Sequence, residues 1–405
     1  MRGIIGLEIN KWNYRRLSDA VNPCLINKRQ IKRTEMKYEI RIGFIIGILT
    51  MISILTNAQI KVIDSLTQES ISGVNLYADN GSLLGATNIV GEVMLDSLKQ
   101  EKTVNLTFQH VAFSSLTVPF SEVKTVGKIK MVPRSIKIDE VAIGDRSKAD
   151  YVVLKGYFRN LALLNNKMGY FVDGIVTYYI PLKNKKEKVR FILKEYRIFE
   201  NKGATQDLAE KMGTFFSYNP SLINLKSTSI AYQLPKGFRL EEDKGRRFIK
   251  QGSTNMGFVQ VSNEGKGLVY LNRVVPGTVI DQRIFKIQAR QHSGVTIETY
   301  AHVKSGNLAM DHLVSVVRSA VTSVKKKNQT EYMPIETYDE FYVLEKEYIS
   351  TDQYTEYKKQ FAKSIFLKGS SNYQSAYWND LDRYGISALP KGVKDRLGNT
   401  LKIKE

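Results

Sequence analysis

Short runs in which apolar and polar residues alternate recur from residue 60 to residue 349, and they constrain the fold more than any other feature. A period of two places apolar side chains on one face of a β-strand, whereas an amphipathic helix needs a period near 3.6. Ile60 to Asp64, Tyr170 to Pro181 and Lys188 to Phe199 are examples. The pattern predicts a mainly β protein.

Residues 60–133 contain about seven such runs, with turn residues roughly every 8–12 positions, the spacing of a β-sandwich. Asp79-Asn80-Gly81 has the composition of a tight hairpin turn. The predicted strands are Ile60 to Asp64, Gly73 to Ala78, Leu84 to Thr87, Glu92 to Leu95, Val104 to Phe108, Leu116 to Phe120 and Lys128 to Met131. We therefore expect a small seven-stranded sandwich of immunoglobulin-like form.

The chain after the sandwich divides into three parts. Residues 134–150 form a polar linker, residues 151–349 carry longer aromatic-rich runs, and residues 350–405 combine a helix with an irregular tail. The long runs predict one large, curved antiparallel β-sheet with one or two helices. Three of its predicted strands are Val279 to Gln288, Ile335 to Val343 and Glu345 to Ile349. Helices are expected at Asp207 to Phe216 and at Asp352 to Phe366, the second capped by Thr351 or Asp352. Leu313 to Val324 has helical spacing but strand composition, and we expect a strand with a helical start.

The first sixty residues indicate export. Lys37 and Arg41 precede an uncharged apolar stretch from Ile42 to Leu55, and Thr56-Asn57-Ala58 supplies small residues for cleavage before Gln59. Residues 36–58 are therefore predicted to be a signal peptide. The alternative is a membrane anchor, but the stretch is shorter than the ~20 residues that span a bilayer. Residues 1–35 precede Met36 and are interpreted as an over-extended N-terminus, the alternative being a long cytoplasmic n-region.

Export and cleavage have consequences for the chemistry of the protein. Cys24 is the single cysteine and lies upstream of the predicted cut, so no disulfide framework and no multi-cysteine metal site is expected. Gln59 would follow the cut, which excludes a lipid-modified cysteine there. We therefore expect an exported protein that is not a lipoprotein. The formal net charge of +20 comes without a nucleic-acid-binding motif, and it fits a solvated surface or peripheral contact with an anionic membrane.

Segments of the first module match, in order, the motifs of a known domain family. They are Val62-Ile63-Asp64-Ser65-Leu66-Thr67, Ile71-Ser72-Gly73-Val74-Asn75-Leu76, Gly85-Ala86-Thr87-Asn88, Gly91-Glu92-Val93, Phe108-Gln109-His110-Val111-Ala112-Phe113 and Ile138-Asp139-Glu140-Val141-Ala142-Ile143. Together they resemble the carboxypeptidase-regulatory-like domain, a transthyretin-like sandwich found in exported Gram-negative proteins and in TonB-dependent outer-membrane systems. Ala112, Val93 and Ile71 depart from the residues usual in that family.

The resemblance implies a sandwich fold and a location in the periplasm, or at the periphery of the outer membrane, of a Gram-negative bacterium. It implies no peptidase activity, because no histidine here has a glutamate three residues on, as a zinc carboxypeptidase site would need. The second region is similar to uncharacterised β-rich domains of the same kind of exported protein. The similarity rests on Gly156-Tyr157-Phe158-Arg159, the strand from Asp173 to Pro181, and Tyr377-Trp378-Asn379-Asp380. It adds architecture without chemistry.

Candidate reactive residues each have a simpler interpretation. His292, His302 and His312 are spaced by ten, which could serve a metal, but separate solvated or hydrogen-bonded histidines are the better explanation. Glu241-Glu242-Asp243 precede basic residues and fit a charge-balanced loop better than a calcium or acid–base site. Gly265-Lys266-Gly267 is a turn in the wrong context for a nucleotide motif. We predict no catalytic, cofactor-binding or metal-binding residues.

Three functions remain open. The first is a non-catalytic envelope protein in which the sandwich is an adaptor and the β-rich domain binds or scaffolds an envelope protein, a glycan or a lipid. The second is a periplasmic carrier that holds an apolar ligand, a lipid or a lipoprotein acyl chain, in a half-barrel cavity. Abundant Tyr and Phe could line a sugar or lipid site, although in strands they commonly form core and cross-strand pairs. The third is a hydrolase built from dispersed residues.

Overall fold

The structure is a computed structural model. It describes residues 59–405 apart from 67, 72–73, 79–82, 88–90, 95–103, 111–112, 133–141, 185, 214–216, 244–245, 264, 276–277, 285, 305, 385, 387 and 390. The predicted N-terminal extension, the predicted signal peptide and the hairpin turn at Asp79-Asn80-Gly81 lie outside the described residues. Within them, no helix is both long enough and apolar enough to cross a bilayer.

The predicted sandwich is confirmed in the described part of residues 59–131. Its seven strands there form sheets of order β4-β1-β7 and β3-β2-β5-β6. Side chains such as Val62 and Ile129 of the first sheet share one core with Leu76 and Phe108 of the second. The strands are β1 (Gln59–Asp64), β2 (Asn75–Tyr77), β3 (Leu83–Ala86), β4 (Glu92–Met94), β5 (Asn105–His110), β6 (Phe113–Pro119) and β7 (Lys128–Met131), with helix α1 (Phe120–Val126) before β7.

The second region is one large, open sheet that includes thirteen strands within the described residues. Its main path runs β12-β13-β14-β15-β17-β18-β19-β9-β10-β11-β20; β16 pairs with β17, and β8 pairs in parallel with β19. The strands are β8 (Ala142–Ile143), β9 (Tyr151–Leu164), β10 (Lys167–Pro181), β11 (Arg190–Glu200), β12 (Phe238–Asp243), β13 (Arg246–Gln251), β14 (Thr254–Val261), β15 (Gly267–Asn272), β16 (Ile280–Ile284), β17 (Ile287–Tyr300), β18 (Leu313–Lys326), β19 (Met333–Ile349) and β20 (Lys402–Ile403). The mainly β prediction is therefore confirmed.

Two strand predictions need correction. The run from Val279 to Gln288 is divided by a turn, so that β16 and β17 form a hairpin. The two runs predicted at Ile335 to Val343 and Glu345 to Ile349 are one strand, β19, with a bulge between Val343 and Glu345. An extra residue at a bulge shifts the alternation of apolar and polar residues by one. The pattern is interrupted there, so that one strand was predicted as two.

The helices differ from prediction at their ends. Helix α2 (Lys202–Met212) starts before the predicted Asp207, because the Asn201 side chain accepts a hydrogen bond from the Ala204 amide at 3.2 Å and caps it. Helix α3 (Thr351–Tyr357) is capped by Ser350 rather than by Thr351 or Asp352, and it gives way to a 3₁₀ turn at Lys358–Gln360. The strand predicted at Leu313 to Val324 is confirmed as part of β18, but its predicted helical start is wrong, since the 3₁₀ turn at Met310–His312 ends before Leu313. A short helix α4 (Lys391–Lys394) lies in the tail.

The large sheet buries side chains on both faces. In β9 the even-numbered Leu154 and Phe158 belong to one hydrophobic cluster, while the odd-numbered Tyr157 and Leu161 belong to another. We call the side of Phe158 the helix face, because α2 packs there, and the side of Tyr157 the sandwich face, because Tyr77 of the sandwich packs there. Strands covered on both sides need continuous apolar sequence, as β9 and β10 have.

Each face is covered by different parts of the chain. On the helix face lie Leu208 and Met212 of α2 and buried side chains of the segment 217–235, namely Leu222, Ile223, Leu225, Ile230 and Ala231. On the sandwich face lie Tyr77 and the C-terminal residues Ile386, Val393 and Leu401. The predicted tail is therefore part of the fold's core.

Two glycines make room for aromatic rings on the helix face. A methyl group at Gly156 would lie 2.3 Å from the Tyr342 carbonyl and 2.4 Å from the Phe341 ring. One at Gly174 would lie 2.7 Å from the Phe158 ring and 2.3 Å from the Glu195 carbonyl. Both rings are buried, so these positions cannot gain a side chain without displacing the core.

We predict that Gly156→Ala lowers the free energy of unfolding by about 2–3 kcal/mol, because the added methyl overpacks a closed site. The matched control is Gly203→Ala in the exposed first turn of α2, where the nearest atom would be 3.5 Å away. That change should raise the free energy of unfolding by about 0.5–1 kcal/mol, since alanine favours the helix. Equal effects of the two changes in urea denaturation would contradict this packing.

Candidate functional site

The sandwich face contains a buried carboxylate with four donors. Asp173 of β10 lies opposite Arg197 of β11, whose Nε and Nη2 donate to its two oxygens at 2.9 and 2.5 Å. Tyr157 Oη donates to Oδ2 at 3.2 Å, and Tyr377 Oη donates to Oδ1 at 3.0 Å. Asp173 is buried, so these contacts replace the water that an ionised carboxylate would otherwise lose.

Arg197 also attaches the C-terminal tail to the sheet. Its guanidinium carbon lies 3.5 Å from the centre of the Trp378 ring, and the edges of Tyr373 and Tyr377 meet that ring at 5.4 and 5.0 Å. A guanidinium group over an indole face is a favourable cation–π contact. The aromatic segment around Trp378 therefore completes the Asp173 site from outside the sheet.

A second buried ion pair lies on the same face. Arg159 of β9 faces Glu340 of β19 in the ladder and forms an ion pair with it, and both side chains are buried. Beside it Tyr77 of the sandwich meets the Tyr338 ring edge-on at 5.5 Å. Burial, and secondarily the charge of Glu340, raises the pKa of Tyr77, so its hydroxyl stays neutral.

A cavity of about 20 Å³ lies at this junction. It is lined by Tyr77 and Gln109 of the sandwich, by Arg159 of the sheet and by Val393 of the tail, among others. That volume holds about one water molecule and is far smaller than a site for an organic ligand. The junction therefore fits the packing of three chain segments rather than a substrate.

The helix face carries its own polar row. Arg318, Asp339 and Asn160 are direct neighbours across β18, β19 and β9. The Asn160 amide donates to Asp339 Oδ1. Arg318 Nη2 donates at 3.4 Å to the carbonyl of Asn224, in the segment 217–235 that covers this face and that we call the covering segment. Burial raises the pKa of Asp339 to about 6, against the opposing effects of the Asn160 hydrogen bond and the Arg318 charge. Asp339 is thus a carboxyl that titrates near neutral pH.

Glu298 fixes the covering segment to the sheet. Its Oε2 accepts hydrogen bonds from Ser229 Oγ at 2.7 Å, from Tyr300 Oη at 2.6 Å and from the Ile230 amide at 3.0 Å. Ser229 and Glu298 are placed as a hydroxyl and a base would be. However, Ser229 Oγ also accepts from the Ala231 amide at 3.2 Å and caps a 3₁₀ turn. The Ser229 hydroxyl therefore already has a donor and an acceptor within the fold. These contacts attach the covering segment to the sheet.

One of the three candidate histidines forms a second hydroxyl–base contact. His292 Nε2 lies 2.8 Å from Ser323 Oγ, at an irregularity of β17 between Gln291 and Ser293. The contact joins β17 to β18 at that irregularity.

The other candidate residues from the sequence are dispersed. His302 lies in a left-handed turn after β17, and His312 ends the 3₁₀ turn before β18. In the part of the chain that the structure describes, no three His, Cys, Asp or Glu side chains gather as metal ligands would. Gly265 lies in the turn before β15, with φ of 76°.

The acidic run at Glu241-Glu242-Asp243 is not the loop we expected. It ends β12 and pairs with β13, where Glu241 contacts Arg239 at 2.5 Å and Lys250 at 2.6 Å. Arg246 and Arg247, which follow the run and suggested a balanced loop, lie in β13 opposite Asp243 and Glu242 in the ladder. The carboxylate of Glu241 is balanced by other cations, Arg239 of its own strand and Lys250 of β13.

Sequence reasoning missed the buried charges. Arg159 and Asp173 stood in two segments that carried the family resemblance, but their burial was not foreseen. The available signal was a charged residue inside an apolar run on a long strand. Such a residue needs a partner on a neighbouring strand.

We predict that Asp339→Asn changes the pH dependence of stability. The folded-state pKa is raised above the usual value near 3.8, so between pH 4 and 6 the unfolded chain loses a proton that the folded chain keeps. The free energy of unfolding of the wild type should therefore fall relative to Asp339→Asn by about 2 kcal/mol from pH 4 to pH 7. Urea denaturation at each pH measures it.

Asp150→Asn is the control of opposite sign. Hydrogen bonds from Lys183 and Thr351 lower the pKa of Asp150 to about 2, so its contribution is present above pH 4 and is lost as the pH falls toward 2. If the free energy of unfolding changes with pH in the same way for the wild type and for Asp339→Asn from pH 4 to 7, the environment assigned to Asp339 is contradicted.

Comparison with known proteins identifies no family for this chain. The sequence matches no protein-family model, and no curated protein shows significant similarity to it.

Proposed function

We propose that this chain is a non-catalytic binding or scaffolding protein of the cell envelope, in which the sandwich serves as the adaptor. The observation that carries the proposal is the position of the exposed apolar side chains. Among the described residues, four of the five most exposed large apolar side chains lie on the sandwich or directly after its last strand; they are Leu66, Val104, Val126 and Val132. The fifth, Ile143, lies in β8 of the large sheet. Exposed apolar side chains are typical of surfaces that bind another protein.

Two of these side chains lie close together. Leu66 follows the end of β1 and Val132 follows the end of β7, and the Ser65 amide donates to the Met131 carbonyl at 2.9 Å between them. They are 77% and 58% exposed. We assign this end of the sandwich, around Leu66 and Val132, to a protein partner and call it the adaptor surface.

The attachment of the sandwich supports a scaffolding role. Tyr77 is almost wholly buried and shares a hydrophobic cluster with Leu161, Phe171 and Tyr338 of the large sheet. A partner held by the sandwich would therefore keep a fixed position relative to that sheet. An adaptor on a flexible linker would have no such effect.

The chemistry of the buried groups favours binding over catalysis. The carboxylates of Asp173, Glu298 and Glu340 are held by donors or by a counter-charge from the fold itself. On the helix face, where a carrier would hold an apolar ligand, side chains of α2 and of the segment 217–235 are buried against the sheet. We therefore place the carrier second and the hydrolase last.

The envelope address comes from the predicted signal peptide. Cleavage after Ala58 would leave Gln59 as the first residue. The sandwich would then be the N-terminal module of the exported protein.

Site-specific photo-crosslinking tests this proposal. A photoreactive residue replaces Leu66 or Val132 in the full chain, expressed in a Gram-negative host from which envelope fractions are prepared. We expect one discrete adduct from both positions. The control position is Phe366, which is 52% exposed but lies outside the sandwich, and it should give none.

Two results would count against the proposal. Absence of any adduct at Leu66 and Val132, or the same adducts at all three positions, would remove the adaptor role. Native mass spectrometry that finds a stoichiometric lipid on the purified protein would favour the carrier instead.

A further inference from the structure

Two hairpin ends of the large sheet lie side by side and bring cations together. The Lys327 amide donates to the Lys286 carbonyl at 2.9 Å, joining the turn after β18 to the turn between β16 and β17. We call this region the basic edge, and it comprises Arg283, Lys286, Arg290, Lys325, Lys326 and Lys327. Within the described residues, Arg290 alone among these six is in an ion pair, with Asp281 at 3.0 Å.

Tyr332 organises part of the basic edge. The Arg290 guanidinium carbon lies 4.4 Å from the centre of its ring, and Lys325 Nζ lies 4.7 Å from it. Its hydroxyl donates to Gln288 Oε1 at 3.3 Å, which fixes the ring. Two like charges are thereby held near each other by one aromatic side chain instead of separating into solvent.

Three of the remaining cations are exposed to solvent; they are Arg283, Lys286 and Lys327. The exposed Val279 and Ile280 lie at the other end of the hairpin, because Ile280 pairs with Gln291 while Lys286 lies in the turn. The basic edge is therefore a cluster of charge without an apolar patch. Such clusters bind the anionic headgroups of a bilayer surface through electrostatic attraction.

We propose that the basic edge docks on the surface of an anionic lipid bilayer. Nucleic acid is the poorer occupant, because single strands stack on free aromatic rings, and the Tyr332 ring is engaged by Arg290 and Lys325. This surface belongs to the large sheet, and the adaptor surface belongs to the sandwich. The inference is therefore independent of the proposed protein partner.

Vesicle co-sedimentation of the full chain tests the inference. Vesicles of phosphatidylcholine alone are compared with vesicles that also contain phosphatidylglycerol, at low and at high salt. The test variant is Arg283→Gln, Lys286→Gln, Lys327→Gln. The control variant, Lys359→Gln, Lys363→Gln, Lys368→Gln, removes the same charge from other exposed positions.

We expect the wild type to bind the anionic vesicles more tightly than the neutral ones and to lose that preference at high salt. The test variant should bind anionic vesicles about 100-fold more weakly, since each cation at the surface contributes about fivefold. The control variant should bind within a few-fold of the wild type. Binding to neutral vesicles measures any contribution of the apolar stretch 42–55 and is subtracted.

Three results would overturn the inference. They are equal losses in both variants, equal binding of neutral and anionic vesicles, and binding of soluble heparin that matches or exceeds binding of anionic vesicles. Far-ultraviolet circular dichroism shows whether each variant is folded. If the test variant does not fold, the salt dependence of wild-type binding to anionic vesicles decides whether the protein docks on an anionic bilayer.

Discussion

A charge buried in a β-sheet must meet its counter-charge inside the protein, and two such pairs govern the sandwich face. Arg159 meets Glu340, and Asp173 meets Arg197. Removing one partner of a buried pair commonly costs about 3–5 kcal/mol, because it leaves an uncompensated charge. These pairs therefore fix the alignment of β19, β9, β10 and β11, whose order places the two pairs next to each other.

The same two pairs define what can cover the sandwich face. The Asp173 pair recruits Tyr377 and Trp378 of the tail, and the Arg159 pair lies beside Tyr77 of the sandwich. Tyrosine suits this layer because its ring is apolar while its hydroxyl can meet a carboxylate. Sheet, sandwich and tail thus share one boundary, which is the physical basis of the scaffold we propose.

The sequence predicted what depends on local alternation and missed what depends on pairing between distant strands. Apolar runs such as Tyr170 to Pro181 are strands because burial on both faces needs little else. Arg159 and Glu340 are far apart in the chain, so no local pattern could join them. The spacing of His292, His302 and His312 was uninformative, because a bulge and two turns reset the side-chain direction between them. The adaptor surface and the basic edge likewise required the fold.

Hydrogen–deuterium exchange on the full chain tests most directly whether sandwich and sheet form one unit. In Arg159→Met, Glu340 loses its counter-charge at the junction. The account predicts lost amide protection in residues 74–78 and 104–110 of the sandwich as well as in β9 and β19. Lost protection confined to β9 and β19, with the sandwich unchanged, would contradict it.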